Sequence, residues 1–176
     1  MTPLRCAVIG VGYLGKFHAQ KYAKIPGCEL VAVVDSRQEV ADAIAEPLGC
    51  RALTDYRELL GQVDAVSIVV PTQGHYAVCM DFLNAGVHVL VEKPMTTTLE
   101  QADELIALAD QKGLVLAVGH LERFNPAALA LAAAVLLAAG RPVADAGLSD
   151  RLRQRIEEAK VTAETLAAVV ALCVCC

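Results

Sequence analysis

Short apolar runs alternate with longer amphipathic segments along the first 120 residues. Most of these runs contain β-branched residues and stop at a glycine, a proline or a charged residue, which is typical of strands buried on both faces of a sheet. We expect strands over 4–9, 29–34, 51–53, 63–70, 87–91 and 114–118. We expect helices over 13–24, 38–48, 74–85 and 98–112, with a helical turn over 56–60.

The ends of two helices carry specific signals. Pro47 lies inside the second predicted helix and should shorten it by a turn. Thr97 or Thr98 is the expected N-cap of the fourth helix, and Gly113 lies just past its end.

Strands that alternate with helices predict an α/β fold with a doubly wound, mainly parallel sheet of the Rossmann type. Ligands of such folds bind at the carboxyl ends of the strands. The residues that stop the apolar runs all follow a strand at that edge, and they are Gly10, Asp35, Pro71, Glu92 and Gly119. The sequence therefore predicts a functional site along this edge.

The pattern changes after residue 120. The alanine-rich run 127–139 has no polar residue and predicts a helix that is wholly buried or packed on a partner. Residues 148–170 predict a long helix with a heptad-like apolar seam. We expect residues 1–120 to form one domain and residues 121–176 a helical C-terminal segment. The seam either forms a homodimer with its copy or packs back on the sheet.

Composition argues against two classes of function, nucleic-acid binding and membrane spanning. The chain has 176 residues, 56% of them apolar, which suffices for a domain with a core. A net charge of -5, 4% aromatic residues and no Trp argue against a nucleic-acid binder. The longest apolar run is shorter than the roughly 20 residues of a membrane-spanning helix. With no leader pattern at the N-terminus, we expect a cytoplasmic protein without membrane contact, whose scattered cysteines stay reduced.

Residues 10–15 fit the pattern G-x-G-x-x-G between a predicted strand and a predicted helix. Gly10 allows a tight turn, Gly12 lets the backbone approach a pyrophosphate, and Gly15 lets the helix lie close to the strand. The helix N-terminus offers N–H groups and a partial positive charge to phosphates. The loop, with Tyr13 and Leu14, therefore predicts dinucleotide binding, and a tight turn without a phosphate is the alternative.

A carboxylate follows the second predicted strand. Asp35 can accept both hydroxyls of an adenosine ribose and repels a 2′-phosphate, so it favours NAD over NADP. Arg37 is close enough in sequence to pair with such a phosphate, which would weaken the preference for NAD. We include Ser36, between them, in the predicted cofactor site.

Four segments together resemble the Gfo/Idh/MocA oxidoreductases, which include glucose–fructose oxidoreductase, inositol dehydrogenases and UDP-sugar dehydrogenases. The segments are GVGYLGKFH (10–18), PTQGH (71–75), AGVHVLVEKP (85–94) and GHLERFNP (119–126). The resemblance covers residue 4 to about residue 130. It implies hydride transfer between a secondary alcohol of a sugar or cyclitol and a nicotinamide cofactor.

The resemblance also implies roles for single residues. Lys93 matches the active-site lysine, which contacts the reacting hydroxyl and assists proton movement. Glu92 matches the residue that holds the nicotinamide ribose, and Pro94 matches a proline whose preceding bond is often cis. Two further sets are implied: the loop along the cofactor, with Pro71, Thr72 and His75, and the substrate region, with His120, Arg123 and Asn125.

Simpler interpretations of these residues stay open. A lysine beside a cationic nicotinamide ring has its ammonium form disfavoured, which suits proton transfer, but Lys93 could also be a surface lysine. His18, His75 and His120 could each satisfy backbone groups near a loop. His88 alternates within a strand, and we expect it to be structural.

The chain departs from the family after Gly140. Full members carry a second α+β domain that supplies a catalytic histidine and aspartate, and the remaining residues contain no histidine and no strand pattern. We therefore expect that domain to be missing or replaced, and stand-alone activity to be poor or absent. The alternatives are a non-catalytic dinucleotide-binding or sensor module that needs a partner, and a truncated product.

Cys173, Cys175 and Cys176 predict an oxidisable tail and no metal site.

Overall fold

The computed structural model describes residues 2–120, along which strands and helices alternate. The strands are β1 (Leu4–Ile9), β2 (Cys28–Val34), β3 (Arg51–Leu53), β4 (Ala65–Ile68), β5 (His88–Val91) and β6 (Leu116–Val118). The helices are α1 (Gly15–Tyr22), α2 (Gln38–Leu48), α3 (Thr72–Asn84) and α4 (Leu99–Lys112), with a 3-10 turn over Tyr56–Leu59.

All six strands pair in parallel, in the order β3-β2-β1-β4-β5-β6. The chain crosses over after β3, so that β1 and β4 are neighbours at the centre of the sheet. This order brings the ends of β1, β2, β4 and β5 to one edge. The predicted doubly wound α/β fold is confirmed.

Each face of the sheet is covered by a different pair of helices. On the face that we call the α3/α4 face, Ile9 and Ile68 pack in one buried cluster with Phe82 and Leu105. On the opposite face, the α1/α2 face, the buried cluster contains smaller side chains: Val8, Val11, Ala19, Val33 and Ala45. Alternate residues of one strand point to opposite faces, so β1 contributes to both clusters.

The predicted signals at the ends of α4 are confirmed. Thr98 is the N-cap, its hydroxyl accepts a hydrogen bond of 3.3 Å from the backbone N–H of Gln101, and Gly113 follows the helix with a φ of 65°. The prediction that Pro47 shortens α2 was wrong, because the helix continues to Leu48. A proline in the last turn removes only one intrahelical N–H, and Gly49 closes the helix in the left-handed conformation with a φ of 67°.

Several element boundaries differ from the predictions. β4 is shorter than the apolar run 63–70, since Val63 and Val70 pack against the core outside the strand. β6 likewise begins at Leu116, and α1 covers fewer residues than the predicted 13–24. α3 begins earlier than predicted, at Thr72, because Pro71 occupies the N-cap.

Four cysteines of the described residues are free: Cys6, Cys28, Cys50 and Cys79. Burial raises the pKa of Cys79 to about 12, so its thiol stays protonated at neutral pH. No helix within residues 2–120 has the length and apolarity needed to cross a membrane. The predicted helices over 127–139 and 148–170, the homodimer seam and the C-terminal cysteines lie outside the described residues.

Candidate functional site

The glycine loop after β1 has the geometry that its motif requires. Gly10 has a φ of +87°, which L side chains rarely adopt, and a Cβ atom there would lie 2.7 Å from the carbonyl oxygen of Val69. A Cβ atom on Gly15 would lie 1.8 Å from the carbonyl oxygen of Gly10, so only glycine lets α1 approach the loop this closely. A Cβ atom on Gly12 would meet nothing within 4 Å, which leaves its backbone open to a ligand.

Asp35, at the end of β2, is tied to the same loop. Its Oδ2 accepts a hydrogen bond of 3.3 Å from the backbone N–H of Val11, and its Oδ1 accepts one of 3.2 Å from the backbone N–H of Arg37. The guanidinium Nε of Arg37 lies 3.9 Å from the same Oδ1. Ser36 and Arg37 are exposed, while the Asp35 side chain is only 12% exposed. The carboxylate is therefore fixed beside the loop, with a cation next to it.

A cleft of about 220 Å³ opens at the carboxyl edge of the sheet. Three chain segments that the sequence predicted as site residues line it: Gly12, Tyr13 and Leu14 of the glycine loop, Pro71, Thr72 and His75 at the start of α3, and Glu92 and Lys93 after β5. Val69 and Val70 also line it. Sequence reasoning placed these two valines inside a strand, and their position just before Pro71 was the signal that could have revealed them.

His75 joins two of these segments. Its side chain is almost fully buried, and its Nε2 and Nδ1 lie 2.8 Å and 2.9 Å from the carbonyl oxygens of Val70 and Pro94. A neutral imidazole donates to one of these oxygens, and an imidazolium donates to both. The ring therefore connects the end of β4 to the segment that follows Lys93. The Lys93–Pro94 peptide bond is cis, as the resemblance implied.

Glu92 is a buried carboxylate beside the exposed Lys93. Its Oε2 accepts a hydrogen bond of 3.2 Å from the backbone N–H of Lys93, and its Oε1 lies 3.3 Å from Nε2 of His18 on α1. A Cβ atom on Gly119, after β6, would lie 2.7 Å from this Oε1. Glycine at position 119 therefore leaves the space that the carboxylate fills.

The hydroxyls of the buried Ser67 and the half-buried Tyr22 continue the contacts of His18. The Nδ1 of His18 lies 3.2 Å from Oγ of Ser67 on β4, and the hydroxyl of Tyr22 lies 2.6 Å from the same Oγ. Burial lowers the pKa of His18 below its usual value, although the nearby carboxylate of Glu92 opposes this shift. Sequence reasoning missed Ser67 and Tyr22. The signal was Ser67 itself, a polar residue inside the predicted strand 63–70.

The remaining predicted residues lie elsewhere. Asp35, Ser36 and Arg37 are at the end of β2 and do not line the cleft, and His120 is exposed after β6. Arg123 and Asn125 lie outside the described residues. His88 has a structural contact, since its Nδ1 accepts a hydrogen bond of 3.0 Å from the backbone N–H of Val115. Within the described part of the chain, no cluster of His, Cys, Asp or Glu side chains could hold a metal ion.

Comparison with known proteins identifies the fold and its cofactor. Residues 4–120 match the sequence model of a family described as "Oxidoreductase family, NAD-binding Rossmann fold". The chain is 51% identical over 127 residues to the UDP-N-acetylglucosamine 3-dehydrogenase of Acidithiobacillus ferrooxidans, an alignment that covers 72% of this chain and 40% of the relative. The chain thus spans about 40% of the length of this curated relative.

Two solved structures agree. The structure of the same UDP-N-acetylglucosamine 3-dehydrogenase matches with a TM-score of 0.69 and 50% identity, over 76% of this chain and 44% of that one. A scyllo-inositol dehydrogenase from Lactobacillus casei, solved with bound NAD(H) and scyllo-inositol, matches with a TM-score of 0.67 and 29% identity. That match covers 78% of this chain and 42% of the other. NAD is the cofactor that this fold binds.

Proposed function

This chain belongs to the Gfo/Idh/MocA family of oxidoreductases, and we propose that it supports hydride transfer between a secondary alcohol of a sugar or cyclitol and NAD. In this proposal residues 1–120 are the dinucleotide-binding domain, and residues 121–176 are a separate C-terminal segment. The observation that carries it is the cleft in which Gly12, Glu92 and Lys93 meet. The carboxylate of Glu92 and the amine of Lys93 line the same small cleft as the backbone at Gly12, which is open to a diphosphate.

The cofactor would lie along the carboxyl edge of the sheet. The open backbone at Gly12 and the N-terminus of α1 suit the diphosphate, because no protein atom lies within 4 Å of a Cβ position on Gly12 and the helix dipole favours negative charge. Asp35 is held by Val11 in a position to accept the hydroxyls of the adenosine ribose. A fixed carboxylate there repels a 2′-phosphate, which supports NAD over NADP, while Arg37 reduces that repulsion.

Lys93 is the candidate catalytic residue. When bound, NAD⁺ supplies a hydride acceptor, and oxidation of an alcohol must then release one proton from its hydroxyl group. The amine form of Lys93 accepts that proton as the C–H bond breaks, and its ammonium form returns the proton in the reverse direction. Glu92, which accepts a hydrogen bond from the backbone N–H of Lys93, would hold the nicotinamide ribose.

The relatives define which substrates should be tested first. The relative with 51% identity is named for UDP-N-acetylglucosamine, and the NAD(H)-bound structure also contains scyllo-inositol. Both compounds carry secondary hydroxyl groups on a six-membered ring. We therefore assign this chain to substrates with a ring hydroxyl, and the nucleotide sugar is the first candidate because its enzyme is the more similar in sequence.

Formation of NADH from NAD⁺ and each of the two compounds tests the proposal, with the purified chain and a Lys93→Ala variant. We expect slow turnover by the wild-type chain on its own. Lys93→Ala should retain NADH binding while lowering that slow turnover by about 10²–10⁴-fold, the usual contribution of a general acid–base group. Lys112→Ala is the matched control, because Lys112 is an exposed lysine at the end of α4 and should leave turnover unchanged.

Two outcomes would contradict the proposal in different ways. Full turnover by the Lys93→Ala variant would remove the lysine from the chemistry. Saturable binding of NADH by the wild-type chain, without turnover of either compound, would favour the alternative of a dinucleotide-binding module that acts with a partner.

A further inference from the structure

A continuous chain of polar side chains runs through the α1/α2 face and ends at the cofactor cleft. It begins at the hydroxyl of Tyr22, passes through Ser67 and His18, and ends at Oε1 of Glu92, with successive separations of 2.6, 3.2 and 3.3 Å. Ser67 is fully buried in the strand next to β1 and β5, and Glu92 is 8% exposed. The four groups connect the far end of α1 to the carboxyl edge of the sheet.

The chemistry of these groups gives the chain one direction. A carboxylate only accepts hydrogen bonds, so the contact between His18 and Glu92 needs an N–H at Nε2 of the ring. A neutral ring with that proton has an acceptor at Nδ1, to which the Ser67 hydroxyl donates. The Ser67 oxygen is then free to accept from the Tyr22 hydroxyl. Each group donates once toward Glu92, and the lowered pKa of His18 favours the neutral ring that this direction requires.

We propose that this Tyr22–Ser67–His18 chain positions the Glu92 carboxylate for the nicotinamide half of the cofactor, with His18 as the positioning residue. Both oxygens of Glu92 are already held by the protein, Oε1 by His18 and Oε2 by the backbone N–H of Lys93. Glycine at position 119 leaves the space beside Oε1 open, since a Cβ atom there would lie 2.7 Å from it. The Glu92 carboxylate is therefore oriented before the cofactor binds.

Stability alone does not account for the chain. The neighbouring positions on β4, Val66 and Ile68, are apolar and fully packed, and a valine at position 67 would continue that pattern without the need for a partner. Instead, the position holds a buried hydroxyl whose loss of a partner would be costly. No buried side-chain N or O atom in the described residues lacks a hydrogen-bond partner, so every member of this polar series is paired.

The inference rests on the proposed function, because it takes Glu92 to contact the nicotinamide ribose. It predicts an effect confined to one half of the cofactor. Loss of the His18 bond frees the carboxylate and weakens binding of NADH, whereas ADP, which lacks the nicotinamide ribose, binds through the glycine loop and Asp35 and is not affected.

The test compares the dissociation constants of NADH and ADP for the wild-type chain and for His18→Phe, which keeps a flat ring but removes both nitrogens. We expect NADH affinity to fall about tenfold, as for loss of one hydrogen bond to a charged group, and ADP affinity to change by less than about twofold. His18→Gln, which keeps a side-chain N–H, should recover part of the loss. Gln20→Ala, at an exposed position of the same helix, should change neither constant.

Ser67→Ala provides a second, smaller change in case His18→Phe does not fold, and it should weaken NADH in the same selective way but by less. A parallel loss of NADH and ADP affinity, or no loss of either, would overturn the positioning role while leaving NAD binding intact. A wild-type chain that binds neither NADH nor ADP would overturn the proposed function, and this inference with it.

Discussion

The two faces of the sheet differ in chemistry although they share the same strands. The α3/α4 face is closed by large apolar side chains such as Phe82 and Leu105, and His75 at its cofactor end bonds to backbone carbonyls. The α1/α2 face has a smaller apolar cluster, and Ser67 of β4 points toward it and toward α1. Strand alternation thus allows one face to provide most of the apolar burial while the other carries polar contacts to the cleft.

Phe82→Ala should have the largest effect, because it removes an aromatic ring with 0% exposure from the α3/α4 face. The ring packs 5.7 Å from that of Tyr56, measured between centroids. We expect the free energy of unfolding to fall by about 3–5 kcal/mol in denaturant titrations, as for other buried aromatic residues. The ratio of NADH to ADP affinity in the folded fraction should not change.

Leu99→Ala on α4 is the control for that measurement. Leu99 is 80% exposed, so its truncation should alter stability by no more than about 0.5 kcal/mol. If Phe82→Ala costs no more than Leu99→Ala does, the α3/α4 face does not provide the main core.

Gly15→Ala tests the side of the molecule on which the cofactor binds. The added methyl group would overlap the Gly10 carbonyl oxygen, so α1 must move away from the loop. We expect a loss of about 1–3 kcal/mol in the free energy of unfolding, as for other overpacked sites, together with weaker NADH binding.

Gly12→Ala separates these two effects. Its methyl group meets no protein atom, so stability measured in the same way should stay within about 0.5 kcal/mol of the wild type, while NADH affinity should fall. Unchanged NADH affinity in Gly12→Ala would show that the diphosphate does not approach this backbone.

The smallest effect is expected at the amino edge of the sheet, away from both faces of helix packing. The Arg5 guanidinium bonds to both carboxylate oxygens of Asp64 and lowers the pKa of that carboxyl to about 2, from an ordinary value of 3.8. Because the pKa of Asp64 is lower in the folded chain, its carboxylate stabilises the fold at pH values above the ordinary pKa of 3.8. This contribution is lost as the pH falls toward 2.

Asp64→Asn should therefore lose less than about 1 kcal/mol at neutral pH, because the pair is exposed to solvent. Unfolding at a series of pH values should show the difference between wild type and variant shrinking from about pH 4 to pH 2. A difference that grows on acidification would contradict the assignment of this shift to Asp64.

The sequence allowed the fold and the segments of the site to be predicted, because their signals are local. Buried parallel strands appear as apolar runs, and the glycine loop and the Glu92–Lys93–Pro94 segment are each continuous in the chain. Element ends were less predictable, since Val70 is as apolar as the strand residues before it but lies outside the strand.

The polar chain could not be predicted in this way. Its contacts join residues 45 and 49 positions apart, and they exist only because α1 packs across β4. Ser67 in an apolar run was a signal that something polar lies opposite, but no pattern in the sequence identifies the partner as His18 or Tyr22.

A crystal structure of the chain with bound NADH would show whether the cofactor lies along the carboxyl edge of the sheet with its nicotinamide ribose at Glu92. We expect the diphosphate to lie against the backbone at Gly12 and a hydroxyl of the nicotinamide ribose to lie within hydrogen-bond distance of Glu92, with the carboxylate still bonded to His18. A cofactor bound away from the carboxyl edge of the sheet, or a Glu92 carboxylate turned away from both His18 and the ribose, would contradict it.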